Sequence, residues 1–358
     1  MSTPRIRQGI TFDDVLLEPR KSGVDRDRIR LRTRLTRTVF LDIPILAAAM
    51  DTVSEAKMAI ALGTIGGMAV LHRNCSIGDQ VGWVRHARHA GVQVGAAVGP
   101  HDIKRATALD RAGVTAIFVD CAHAHHTKIM ASARKIKRAI TTPLVMGNIA
   151  TREAARDLLP FADGLKVGIG PGAICTTRVV AGIGVPQLTA ILDVVSIAKQ
   201  KKIPVIADGG IKYSGDIVKA LAAGAEAIMA GSLFAGTDEA PGKIITVKGK
   251  RYKVFRGMGS LGAMKSGISS DRYFQKGKTK YVPEGVEAYT PYKGSLDDIV
   301  WHLIGGLKSG MGYIGASSIA DMPRQARFIQ ITNASLKESH PHSITIAKKA
   351  PNYDAYGS

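Results

Sequence analysis

From Pro44 onward, short apolar runs alternate with longer segments in which apolar residues recur every three or four positions, and Gly, Pro or Asp separates each pair. The runs are 44–50, 67–71, 93–98, 115–120, 143–148, 164–168, 203–208 and 226–231. The longer segments, 54–62, 103–112, 127–139, 152–161, 187–201 and 214–223, have helical period. Ser76 with Asp79 reads as a capping box opening a further helix after the second run. Runs apolar on both faces, each followed by a helix, predict a parallel sheet covered by helices. Eight such units predict an α/β fold, a (β/α)8 TIM barrel, with an open doubly wound sheet as the alternative.

The rhythm stops after Phe234. Residues 243–292 are rich in Lys, Gly, Tyr and Pro, with a hairpin expected over 244–255, turning near Gly249, and then a polar run over 265–292. This predicts an extended flap inserted after strand eight, and Met258-Gly-Ser260 and Asp271-Arg-Tyr-Phe274 mark it as more than filler. A helical pattern over 296–307 closes the barrel, and 335–358 is a polar tail. All 358 residues are assigned to one catalytic domain.

A hydrophobic content of 45% places the chain in the globular class. Lys and Arg number 49 against 29 Asp and Glu, a formal charge of +20, so the surface attracts anions. Aromatics are only 5% and the basic residues are scattered along the chain, which argues against a nucleic-acid reader. Three cysteines are too few and too far apart for a disulfide framework or zinc site, so a reducing, cytoplasmic setting is expected. The N-terminus lacks the apolar core of a secretory signal, and the apolar stretch 58–71 is too short and glycine-broken to span a bilayer.

In a barrel of this kind the site is built at the C-terminal ends of the strands. Asp51, His72, Asp120, Asn148, Gly168-Ile-Gly170, Asp208-Gly-Gly210 and Gly231-Ser232 all fall there. The glycines after strands seven and eight suit a phosphorylated ligand, because bare backbone N–H groups approach an anion closely. Gly168-Ile-Gly-Pro-Gly-Ala-Ile-Cys175-Thr-Thr-Arg178 sets a lone thiol among glycines beside a cation, a pattern for a nucleophile. Cys75 and Cys121 read as small buried hydrophobes. His123, His125 and His126 lack accompanying ligands at metal spacing and are not read as a metal site.

Thr11-Phe-Asp-Asp-Val-Leu-Leu17, Ala49-Met-Asp-Thr-Val53, Gly147-Asn148, the Cys175 loop, Ala207-Asp-Gly-Gly210 and Arg256-Gly-Met-Gly-Ser260 resemble the inosine-monophosphate dehydrogenase and guanosine-monophosphate reductase family over nearly the whole chain. Ser270-Asp-Arg-Tyr-Phe-Gln275 with Pro283-Glu-Gly285, and Glu338-Ser-His340, are similar to its dehydrogenase branch. The resemblance implies NAD-dependent oxidation of inosine monophosphate (IMP). Cys175 would attack the purine, and Arg272, Tyr273 and Thr177 would serve hydrolysis of the thioimidate. Met50, Ala173, Asp208, Gly210, Gly231, Ser232, Met258, Gly259, Ser260 and Glu284 would bind the nucleotide. Asp120, Asn148, Gly168 and Gly170 would face NAD. Gly170, Gly172 and Cys175, with Glu338, Ser339 and His340 from a neighbouring subunit, would hold potassium (K+) in a homotetramer.

Ala173 stands where the family usually has Ser, and Phe255 where it commonly has Tyr, so two hydroxyl donors to the phosphate are absent and weaker nucleotide binding is expected. Most members insert a pair of cystathionine-β-synthase-type domains between the second helix and third strand; here 83–91 joins those elements directly. The alternatives are the reductase branch, which naturally lacks that insertion, and a non-catalytic nucleotide- or nucleic-acid-binding relative. Arg272 and Tyr273 favour the dehydrogenase, and Cys175, Thr177 and Arg272 together oppose the non-catalytic reading.

Overall fold

The computed structural model describes residues 6–266, 269–273, 275, 277–348 and 350–353; Phe274 and the end of the tail lie outside the described residues. Eight strands close into a barrel: β1 (Ile45–Ala47), β2 (Met68–Leu71), β3 (Gly95–Val98), β4 (Ala116–Asp120), β5 (Leu144–Ile149), β6 (Gly164–Val167), β7 (Val205–Asp208) and β8 (Ala227–Ala230). Every pairing around the ring is parallel, and β8 pairs back onto β1 through Ile228–Ile45. Each strand falls inside or within a residue of an expected run. The barrel, not the open sheet, is what forms.

The covering helices are α1 (Ala56–Thr64), α2 (Ile77–His89), α3 (Ile103–Arg111), α4 (Thr127–Ala139), α5 (Arg152–Leu158), α6 (Gln187–Ala198), α7 (Ser214–Ala222) and α8 (Leu296–Ile314). α5 stops short of the expected 161: Leu159 keeps helical backbone (φ −49°, ψ −34°), but Pro160 has no N–H with which to continue the ladder. α8 runs past the expected 307 and ends on Gly315 at φ 72°. Gly310, a breaker by propensity, lets α8 lie against Val218 of α7, where a Cβ would come within 2.7 Å of the valine. At the start of α2 the Ser76 hydroxyl accepts from the Asp79 N–H at 3.0 Å but donates to the Asp79 carboxylate at 2.6 Å, so half of the expected capping box forms.

Two cores result. Leu46, Met68, Val70, Phe118, Val145, Ile206 and Met229 fill the barrel interior, while the opposite strand faces pack against the helices. A hairpin of Thr33–Arg34 with Phe40–Leu41 plugs the N-terminal end, adding Leu35 and Leu41 to the interior core. Val15–Leu17 pairs antiparallel with Phe328–Gln330. Such two- and three-residue strands carry too little periodicity to be read from sequence.

Between β8 and α8, β9 (Ile245–Val247), β10 (Lys250–Arg256) and β11 (Glu287–Pro291) form an antiparallel sheet. The hairpin turns on Lys248 and Gly249, with φ 48° and 74°, the two positive values a tight two-residue turn demands. β11 lies within the stretch expected to be irregular. Residues 90–94 alone connect α2 to β3. Among the described residues, no helix is long and apolar enough to cross a membrane.

Candidate active site

The C-terminal ends of the strands open into one cleft. It is lined by Met50 after β1, Asp120 of β4, Asn148 of β5, and Gly168, Gly170, Gly172, Ala173, Cys175 and Thr177 after β6. Asp208, Gly210, Gly231 and Ser232 follow from β7 and β8, and Met258, Gly259, Arg272, Tyr273 and Glu284 come from the excursion. Residues up to 234 positions apart in the chain, Met50 and Glu284, thus share one wall because parallel strands all end on the same face.

The cysteine loop is held on both sides. Gly168, at φ 153°, passes so close to the Asp208 carbonyl that a Cβ would overlap its oxygen. The Cys175 N–H donates to the Gly172 carbonyl (3.1 Å), Thr176 N–H to Glu284 (2.9 Å) and Val286 N–H to Ile174 (3.0 Å), which ties the loop to the returning strand of the excursion. Cys175 Sγ lies 3.2 Å from Thr177 Oγ1. Arg178 directs Nη2 to the Val185 carbonyl (2.7 Å) and braces Gly170 and Gly184. Its main contact is therefore with the loop backbone, and its charge reaches the sulfur through space.

Below the cleft lies a residue that the sequence reading passed over. Lys166 on β6 is 2% exposed, and its ammonium donates to Asp120 (3.1 Å), Asp208 (2.6 Å) and the Asn148 side-chain oxygen. The Asn148 amide donates in turn to Asp208 (2.9 Å) and the Gly168 carbonyl (2.7 Å). A buried lysine is tolerated only when paired, and this one orients three cleft side chains at once. The available signal was a charge in the middle of an otherwise apolar barrel strand.

The excursion closes over this cluster. Arg272 Nη1 bonds Asp120, the Arg272 carbonyl accepts from Ala122 N–H (3.2 Å), and Asp271 pairs with Arg73 (2.5 Å). Burial lowers the Arg272 guanidinium below its ordinary value, with Arg73 adding to this and Tyr273 opposing it; the Asp120 carboxylate also favours the charged form. Burial raises the Tyr273 hydroxyl, while Arg272 pulls it back. Arg272 Nε is buried without a partner among the described residues.

At the phosphate corner, Gly209 and Gly210 have φ 91° and 76°, which opens the backbone beside Gly231 and Ser232. Ala173 and Phe255 line the same cleft and bring no hydroxyl to it.

Other expected residues sit elsewhere. Ser260 is buried and caps the short helix Leu261–Lys265, its hydroxyl accepting from Ala263 N–H (3.3 Å), so it braces Met258 and Gly259 without lining the cleft. Asp51 binds Arg256 (2.5 Å) and Asn74 (2.6 Å), while His72 binds Glu55 (3.1 Å); both fasten loops at the rim. Glu338 ends the helix Asn333–Glu338 and Ser339 and His340 follow it; His340 meets Tyr353 (3.0 Å) and stands by Tyr213, apart from the cysteine loop of the same chain. His125 pairs with Asp157 (2.8 Å) and His126 caps α4 (3.2 Å). Burial raises the thiols of Cys75 to about 11 and Cys121 to about 12, as suits inert packing groups.

The family model described as "IMP dehydrogenase / GMP reductase domain" matches residues 9–342. The chain is 42% identical to an inosine-5'-monophosphate dehydrogenase of Cryptosporidium parvum, covering 99% of this chain and 100% of that protein. A Borreliella burgdorferi protein of the same name is 44% identical over 94% and 98% of the two chains, and one from Halobacterium salinarum 39% over 99% and 97%. The last alignment spans 484 positions against 358 residues, so a long stretch of that relative has no counterpart here. With the match running from before the first helix to the C-terminal tail and the cysteine, glycine and acidic positions gathered in one cleft, the chain belongs to the IMP dehydrogenase / GMP reductase family.

Proposed function

We propose that the protein oxidises IMP to xanthosine monophosphate with NAD through a covalent bond to Cys175. The observation that carries this reading is the cleft itself, with the Cys175 sulfur on Thr177 and a closing segment that brings Arg272 and Tyr273 over it. The nucleotide phosphate would rest on Gly210, Gly231 and Ser232, the ribose on Asp208, and the base against Met50, Met258, Gly259 and Glu284. Cys175 adds to C2, and the hydrogen there departs with its electron pair, leaving a thioimidate. Water then adds to C2, gives a proton to the Arg272–Tyr273 pair, and the carbon–sulfur bond breaks to return the thiolate. Thr177 would help hold that water.

NAD, when bound, supplies the hydride acceptor. Asp120 and Asn148, with Gly168 and Gly170, fit its nicotinamide riboside, since a carboxylate and a carboxamide suit hydroxyl and amide groups. Because Arg272 bonds Asp120 in this conformation, the excursion must act as a flap that leaves for cofactor and returns for water. The unpartnered Arg272 Nε suits a water-directed role. A potassium ion would lie on the carbonyls of Gly170, Gly172 and Cys175, completed by Glu338, Ser339 and His340 of the partner subunit in a homotetramer. The compartment would be the cytoplasm.

Appearance of NADH from IMP and NAD tests the proposal. Loss of NADPH with guanosine monophosphate, and no reaction with IMP, would identify a reductase; failure of both assays would leave a nucleotide-binding protein.

A further inference from the structure

Basic residues that are scattered along the sequence converge at the end of the barrel opposite the cleft. Because helices run antiparallel to the strands they cover, the C-terminal ends of α2, α3, α4 and α6 meet around the plug hairpin. Arg88, Arg111 and Arg138 stand exposed at the first three, Lys201 and Lys202 after α6, and Arg37 on the plug. Arg88 reaches the turn after α3, its Nε lying 3.9 Å from where a Cβ on Gly113 would be, and the Lys202 carbonyl accepts from Arg34 of the plug (3.4 Å), while the common direction of the helices puts the six cations in a band at this end.

The carboxylates at this end are engaged internally. Asp110 accepts from Thr141 and Thr142 (2.6–3.1 Å), Asp163 from Lys137 (2.6 Å) and Leu144 N–H (2.7 Å), and Glu226 from Arg34 (2.9 Å). Exposed Asp42 subtracts one charge from the band. Among the described residues, none of the six cations forms an ion pair. Cations at helix C-termini offset the helix dipole, which accounts for some of them. It does not account for Arg37 on the plug, nor for Lys202, which holds φ 54° where glycine is the unstrained choice.

We propose that this face binds the phosphodiester backbone of a nucleic-acid duplex without sequence preference. The band offers charge without stacking platforms: the exposed aromatic beside it, Phe40, is covered by Arg32 at 4.8 Å. Single-strand readers need exposed aromatic faces, and membrane-surface elements need exposed apolar ones, whereas duplex phosphates need only cations. The face lies away from the cleft, so occupancy leaves the cleft mouth open.

Fluorescence anisotropy with a labelled random-sequence duplex DNA tests this. Six phosphate contacts imply a loss of affinity of about 10³-fold between about 50 and 200 mM salt. Combining Arg88→Gln, Arg111→Gln and Arg138→Gln should lower the logarithmic salt slope by about 3. Lys202→Gly should weaken binding while leaving the melting temperature equal or higher, because it relieves the left-handed backbone, so lost binding cannot be ascribed to unfolding. IMP turnover should be unchanged in both variants. A control neutralising Lys248, Lys250 and Arg327 should retain duplex affinity. Equal loss in that control would overturn the proposal, since net charge alone would then be responsible. Absence of duplex binding at low salt, or binding only to vesicles of anionic lipid, would overturn it as well.

Discussion

The two ends of the barrel handle charge in opposite ways. At the C-terminal end Lys166, Asp120, Asn148, Asp208 and Arg272 form one desolvated network, in which each charge is held by the others and faces a cleft. At the N-terminal end Leu35 and Leu41 of the plug fill the interior, while Arg37, Arg88, Arg111, Arg138, Lys201 and Lys202 are exposed. The first arrangement orients side chains that line the cleft but leaves stability hostage to every partner, because removing one member strands a buried charge. The second secures the fold by burial and leaves its charges free to meet a partner.

That contrast can be broken first at Cys175. Cys175→Ala should lower turnover by about 10³-fold or more with an unchanged melting curve, whereas Cys75→Ala should alter turnover by less than about twofold. If both variants remain active, the cleft is not a nucleophile site. Lys166→Met should be costly in both respects, destabilising the fold by about 3–5 kcal/mol in chemical denaturation and removing activity, while Lys166→Arg retains part of each. A Lys166→Met protein with unaltered stability would show that the network contributes nothing to the fold.

Arg272→Gln tests the closing segment. Turnover should fall by about 10²-fold while a burst of NADH survives and the covalent enzyme species accumulates. A base works deprotonated, and burial lowers the Arg272 guanidinium, so wild-type turnover should rise as pH increases through the alkaline range. The variant should lose that rise; an identical pH profile would remove Arg272 from the proton step. Ala173→Ser with Phe255→Tyr should tighten IMP binding roughly thirtyfold, at about 1 kcal/mol for each of the two restored hydrogen bonds, as read by calorimetry.

The smallest effect belongs to the opposite end. Burial would raise the Asp110 carboxyl, but hydrogen bonds from Thr142 and Thr141 outweigh it and lower the group below its ordinary 3.8. The associated stability is complete above that value and is lost as pH falls through the depressed folded value. Asp110→Ala should therefore cost about 1–2 kcal/mol near neutrality, and the difference from wild type should shrink in strong acid. A constant difference across that range would assign the loss to something other than ionisation.

Much of this architecture was legible in the residues. The eight runs appear as strands because a parallel strand buried on both faces must be apolar throughout, and the turn of the β9–β10 hairpin follows from Lys248-Gly249. Cys175, Asp208 and the glycine pairs were legible because their types are unusual at strand ends. Lys166 was not recognised, since a single lysine in an apolar run gives no hint that three carbonyl or carboxylate groups from β4, β5 and β7 await it. Ser260 was assigned to the substrate by its motif, whereas the backbone places it as a helix cap.

Local order along the chain settled the alternation of strands and helices and the chemistry available at each turn, because period and propensity act over neighbouring residues. Tertiary structure decided which of those residues meet: it seated Lys166 beneath two carboxylates, laid Arg272 on Asp120, and collected dispersed cations on one rim. Such encounters depend on barrel closure and helix direction, and electrostatic energy depends on distance and burial in space, quantities that separation along the sequence does not contain.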